Sequence, residues 1–150
     1  MLNSDFKEFT ACLNDHGVEY LVVGGYALAA HGHARFTGHI DVWVPHEADN
    51  IGRLLKVLQH VGFGSVGLSA IDFADDTVTQ LGQPPRRIDR LTRIDGVDFK
   101  ACWSRRETVA IDGLDLHLIG LEDFKTNKRA AGRWKDLADL ETLAERGQPS

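Results

Sequence analysis

The sequence predicts an α/β domain with a mixed central β-sheet flanked by helices. Three observations carry that expectation. The first sixty or so residues alternate helix-like and strand-like segments. The middle is rich in strand-like runs and contains a hairpin turn at Asp112-Gly113. The stretch from Leu121 to about Arg146 returns to helical periodicity, interrupted at Gly132. The order αβαβαβββ followed by α suits a mixed sheet better than a doubly wound parallel one.

Taken in order, Ser4 is placed to cap a helix running to about His16, with Phe6, Phe9 and Leu13 on one side and Gly17 ending it. "VEYLVV" is a β-branched and apolar run of strand length, closed by Gly24 and Gly25. "YALAAHG" reads as a short helix stopped at Gly32, and "HIDVWV" as the second strand. After Pro45, "EADNIGRLLKVLQHVG" is amphipathic at helical spacing through Ile51, Leu54, Leu55, Leu58 and Val61. "DTVTQLG" and "RRIDRLTRI" read as strands around the break "QPP", and "ETVAIDGLDLHLIG" as a hairpin. There is no internal repeat, and the tail from about residue 146 to 150 reads as loose.

A chain of 150 residues is most simply one domain with a real core. Its 43% hydrophobic and 26% charged content is that of a soluble globular protein. No apolar run reaches the roughly 18 residues of a membrane span, and "MLNSDFKEF" lacks a signal-peptide pattern. Cys12 and Cys102 form no motif and read as isolated core thiols, with a disulfide as the alternative. These features together point to the cytoplasm. A formal net charge of -5 argues against a general nucleic-acid coat protein, although cations cluster in "PPRRIDRLTR", "SRR" and "KTNKRAAGRWK".

The chemistry concentrates in "YLVVGGYALAAHGHARFTGHIDVWV". A strand ends in two glycines and a helix begins at once, which lets an anion approach the backbone. Further on, His39 and Asp41 lie two apart on a strand and so share a face. A phosphate cradle beside a strand bearing acids is what metal-assisted phosphoryl chemistry requires. A later strand offers Asp89, mid-run between apolar neighbours, where a carboxylate needs a partner such as a metal. Asp98 is the other candidate for this acid, but it follows a glycine closely and reads more readily as a turn or cap residue. Arg35 and Thr37 precede the acid strand, placed either to contact phosphate or to brace the turn. The density of His31, His33, His39 and His46 raises a zinc site and a zinc hydrolase as a further reading, though their spacing is not a strong zinc pattern.

The joint pattern resembles the signature of the nucleotidyltransferase superfamily, the fold of polymerase beta and aminoglycoside nucleotidyltransferases. That signature is a glycine pair, a spacer, acid–apolar–acid on a strand, and a third acid on a later strand. "LVVGGYALAAHGHARFT", "QLGQPPRRIDRLTRIDGVDF" and "LIGLEDFKTNKRAAGRWKDLADLE" look similar to small bacterial members allied to abortive-infection and toxin–antitoxin systems, so the resemblance covers about residues 18 to 143. It implies transfer of a nucleoside monophosphate from an NTP to an acceptor hydroxyl, with Mg²⁺ or Mn²⁺ held by Asp41 and Asp89. It implies Gly24 and Gly25 at the triphosphate, Lys128 steadying it, and Asp136 orienting Lys128. That role expects an exposed Lys128 ammonium, whose truncation barely alters stability. RNA or protein is the acceptor the resemblance suggests, with a small molecule left open, and a homodimer or a cognate partner protein is the expected assembly.

One position departs from the pattern. The superfamily has an acid where this chain has His39. Neutral imidazole is a poor ligand for hard Mg²⁺ and a better one for Mn²⁺, Ni²⁺ or Zn²⁺. Three readings follow: a binder without turnover, an enzyme using a softer metal, or an altered version of an active parent. A non-catalytic nucleotide-binding or antitoxin-like module acting through a protein partner is the alternative function.

Overall fold

In the computed structural model, residues 4–32, 39–61, 78–82 and 87–147 are described, with side chains as far as residue 144. Helix α1 (Ser4–Asp15) buries Phe6, Phe9 and Leu13, one helical face. Its carbonyls are closed by bonds from Gly17 to Asn14 and from Val18 to Leu13. The backbone then extends into β1 (Leu21–Val23), whose three residues are all buried. Helix α2 (Gly24–Ala30) starts directly on the two glycines, earlier than the tyrosine at which the sequence suggests it. Strand β2 (His39–Trp43) leads to α3 (Ala48–His60), where the Glu47 carboxylate caps the backbone N–H groups of Asp49 and Asn50.

Strands β3 (Val78–Leu81) and β4 (Arg87–Leu91) pair antiparallel. The next element differs from expectation. Residues Phe99–Ser104 form a short helix, α4, capped by the Asp98 side chain on the Ala101 N–H. A six-residue helix gives too little periodicity to stand out from sequence, but its cap was visible as a turn-forming acid. Strands β5 (Glu107–Ile111) and β6 (Leu114–Leu118) form the hairpin, with Asp112 and Gly113 both at positive φ. Helix α5 (Leu121–Ala131) ends at Gly132 in the left-handed conformation, and α6 (Trp134–Gly147) follows at once.

The described strands form one mixed sheet in the order β3-β4-β2-β1-β6-β5. The pairs β2–β4 and β1–β6 are parallel and the others antiparallel. Alternation along the strands sends side chains into two separate cores. Val22, Ile40, Val42 and Ile88 join α1 and α3 in one. Leu21, Val23 and Trp43 join Phe99, Cys102, Phe124 and Leu143 in the other. Trp43 meets Phe99 edge-on at 5.0 Å, and its indole N–H donates to the Thr92 carbonyl at 3.0 Å. Burying a large apolar side chain of this kind contributes about 1.5–3 kcal/mol. Cys12 and Cys102 are both free and buried, and burial pushes the Cys102 thiol up to about 12, which leaves it unreactive. Among the described residues no helix is long and apolar enough to cross a membrane.

Candidate active site

The pairing of β2 with β4 sets the site. In their parallel register His39 lies opposite Arg87, and Asp41 opposite Asp89. Residues two apart share a face, so all four side chains emerge on the same side of the sheet and line one cavity of about 640 Å³. On the other flank of β2, Val23 of β1 lies opposite Asp41, and the next residue is Gly24. Gly24 has φ +66°, and a Cβ there would run into the Asp41 carboxylate. Only glycine tolerates both conditions. The glycine pair therefore allows backbone and carboxylate to meet at the cavity wall.

Distances within the cluster are short. The His39 Nε2 is 3.3 Å from Asp41 Oδ1 and 3.8 Å from Asp89 Oδ2. Arg87 forks onto Asp89, with Nε donating to Oδ1 at 2.9 Å and Nη2 to Oδ2 at 2.8 Å. Burial pushes the Asp41 carboxyl above its ordinary range, and Asp89 adds to the rise, while His39, Lys135 and Lys128 pull against it. One imidazole nitrogen and two carboxylate oxygens lie within 4.8 Å of one another. This donor set suits a divalent cation, and its nitrogen suits Mn²⁺ or Zn²⁺ better than Mg²⁺. Among the described residues this is the grouping with metal-ligand spacing. The four-histidine zinc arrangement does not form there: His31 faces the Ile119 carbonyl at 2.9 Å and the Glu107 carboxylate at 3.1 Å. His33 lies outside the described residues.

The helical side of the cavity brings a second cluster. Lys128 of α5 reaches Asp136 at 3.1 Å and Asp139 at 3.2 Å, both on α6. Asp136 also accepts the Arg133 backbone N–H at 3.2 Å and its Nε at 2.7 Å, the acid half of a helix-capping arrangement. Burial pushes the Asp136 carboxyl up, but hydrogen bonds from Arg133 and Lys128 outweigh it and hold it below its ordinary value.

Lys128 is 5% exposed, which corrects the expectation of a mobile surface ammonium. Two buried carboxylates and the packing of α5 on α6 draw it in. It still touches the cavity, as do Gly24, Gly25, His39, Asp41 and Asp89, whereas Asp136 sits behind the wall, fully buried. Asp98 is a helix cap and lines no part of the site. Arg35 and Thr37 lie outside the described residues. Arg87, Arg93, Asp95, Arg133, Lys135 and Asp139 complete the charged wall without having been singled out from sequence. Four of them had a signal: Arg87 and Arg93 fall in the basic run "PPRRIDRLTR", and Arg133 and Lys135 in "KTNKRAAGRWK". Asp139 had one too, three residues after Asp136 on the same helix face.

No protein-family model and no curated protein sequence matches the chain. Solved structures do. A proposed nucleotidyltransferase from Thermotoga maritima aligns with a TM-score of 0.56 at 13% identity, over 97% of this chain and 94% of its own. An antigenic nucleotidyltransferase-like protein from Paracoccidioides brasiliensis aligns at 0.55 and 15% identity, over 93% and 73%. A proposed nucleotidyltransferase from Helicobacter pylori aligns at 0.51 and 16% identity, over 94% and 65%. The chain has a nucleotidyltransferase-like fold: its described residues form a mixed six-stranded sheet flanked by helices. At such identities the likeness concerns fold, and function has to be argued from the site.

Proposed function

We propose that the cavity binds an NTP with a divalent cation and supports transfer of its nucleoside monophosphate to an acceptor hydroxyl, releasing pyrophosphate. The observation that carries this is the level pairing of Asp41 and Asp89 beside the Gly24 backbone, in a cavity to which Arg87, Arg93, Lys128, Arg133 and Lys135 bring positive charge. Asp41, Asp89 and His39 would hold Mg²⁺ or Mn²⁺, which neutralises phosphate charge and polarises the transferring phosphorus. Gly24 lets the Asp41 carboxylate sit against the backbone, and with Gly25 it lines the wall along which the triphosphate would lie. Lys128, tied to Asp136 and Asp139, supplies a fixed positive charge at the wall rather than a mobile arm. Asp89 accepts the proton of the attacking hydroxyl as its oxygen bonds to the α-phosphorus and the bond to pyrophosphate breaks.

The acceptor falls in the class of RNA or protein hydroxyls, and the toxin–antitoxin affiliation, a cytoplasmic setting and a homodimeric or partnered assembly belong to the same reading. A second reading, a nucleotide-binding module without turnover, is favoured by His39 standing where a hard oxygen ligand serves Mg²⁺ best.

The test measures metal-dependent pyrophosphate release from ATP, GTP, CTP and UTP, with a mixed RNA and protein extract as acceptor, in the chain and its His39→Asp variant. With Mg²⁺, the variant is expected to gain on the order of a thousandfold, the scale of one lost transition-state contact to metal. Equal, non-zero rates would make imidazole a working ligand for a softer metal. Nucleotide binding with no release from either form would establish the binding module.

A further inference from the structure

We infer that Arg87 exchanges partners on loading: it clamps Asp89 in the empty site and passes to the triphosphate when nucleotide and cation enter. The inference rests on the proposed nucleotide reading of the cavity and assigns to it a residue with two successive roles.

The empty cluster explains why a clamp is needed. The Asp89 side chain is 8% exposed, and a carboxylate removed that far from water requires a counter-charge. Arg87 supplies it through both oxygens. The same fork stands in a cation's way, because Nη2 lies 2.8 Å from Oδ2, the oxygen that also faces His39. A divalent ion bound there would have the guanidinium beside it, at a separation where like charges repel strongly in a partly buried site. Against two carboxylates, one guanidinium leaves these three groups a single net negative charge. That is a weak trap for a divalent cation.

Arg87 is also placed to move. Its side chain is 28% exposed, it opens β4, and it lines the cavity rather than packing beneath it. A guanidinium fork fits phosphate oxygens as well as it fits a carboxylate. Release to a triphosphate frees both Asp89 oxygens, one for the cation and one for the acceptor proton, and the cation then takes over as counter-charge. Nucleotide therefore promotes cation binding, and by linkage cation promotes nucleotide binding.

The experiment titrates the full chain, Arg87→Gln and Arg87→Lys by calorimetry with two probes separately: Mn²⁺ alone, and inorganic tripolyphosphate in EDTA. Lys56→Gln, the same charge change at an exposed position of α3, is the control. Arg87→Gln is expected to bind Mn²⁺ on the order of tenfold more tightly and tripolyphosphate on the order of tenfold more weakly. Arg87→Lys, which keeps the charge and loses the fork, is expected to fall between, and Lys56→Gln to match the parent. If Arg87→Gln weakens both probes, Arg87 only braces Asp89 and the exchange is overturned, with nucleotide binding intact in the parent. If it changes neither, Arg87 is a bystander and the inference falls alone. A parent chain that binds neither probe overturns this inference and the proposed function together.

Discussion

Two clusters of acids and bases face the same cavity, and they are built in opposite ways. On α5 and α6, Lys128 is shared by Asp136 and Asp139, all three at most 5% exposed, and Arg133 completes the hydrogen bonding of Asp136. On β2 and β4, His39 and Asp41 remain partly open to the cavity, and the Asp41 carboxyl is held above its ordinary range by burial. The helical cluster is closed, and its charges satisfy one another. The sheet cluster leaves one acid, Asp41, raised by burial at the edge of a cavity, while Asp89 is clamped by Arg87. Structural ion networks take the first form, and binding sites the second. The difference separates a residue that holds the wall from residues that wait for a ligand.

The largest effect that would break this comparison is at Lys128. Removing one partner of a buried network leaves uncompensated charge, so Lys128→Ala is expected to cost about 3–5 kcal/mol in a urea denaturation experiment. A cost below about half a kcal/mol, the usual value for an exposed side chain, would show that the lysine is a loose arm after all.

Next comes Gly24→Ala. Positive φ strains an alanine by about 1–3 kcal/mol, and the new Cβ displaces the Asp41 carboxylate. The variant is expected to lose that stability and most of its Mn²⁺ affinity, both readable by calorimetry. Stability lost with cation binding intact would separate the glycine from the metal site.

The smallest effect is also the most discriminating, because its sign differs between the clusters. Asp41 has a folded-state pKa above the ordinary value of 3.8, so the folded chain binds more protons and stability falls as pH rises through that window. Asp136 is shifted the other way, so its contribution is present above 3.8 and is lost as pH falls through its lowered folded value. Asp41→Asn should therefore raise the melting temperature at neutral pH, with the gain vanishing below pH 3.8. Asp136→Asn should lower the melting temperature at neutral pH, with the loss shrinking in acid. Matching signs in thermal melts between pH 3 and 7 would erase the distinction drawn between the clusters.

Much of the sheet cluster was legible in the sequence because strand periodicity is short-range. Asp41 two residues after His39, and Asp89 among apolar neighbours, needed no knowledge of packing to share a face or to call for a partner. The glycine pair was legible for the same reason, although its contact with Asp41 depends on the β1–β2 register. The burial of Lys128 was not legible. A lysine in "KTNKRAAGRWK" looks like a surface residue until α6 folds back and brings two acids over it, which a local pattern does not encode. Arg87 was visible only as one cation of the run "PPRRIDRLTR", and its fork onto Asp89 could not be told there from a solvated charge. Helix α4 escaped because six residues span fewer than two turns.

Cation binding by the open cluster of His39, Asp41 and Asp89 is the central property to measure. Electron paramagnetic resonance of Mn²⁺, titrated in the presence of a non-hydrolysable NTP analogue, measures this directly in the parent chain and in the Asp41→Asn/Asp89→Asn double variant. The expected result is stoichiometric protein-bound Mn²⁺ in the parent, with the double variant, folded by circular dichroism, giving only the spectrum of the Mn²⁺–nucleotide complex free in solution. The same bound signal in both proteins would place the cation elsewhere and contradict the assignment of Asp41 and Asp89.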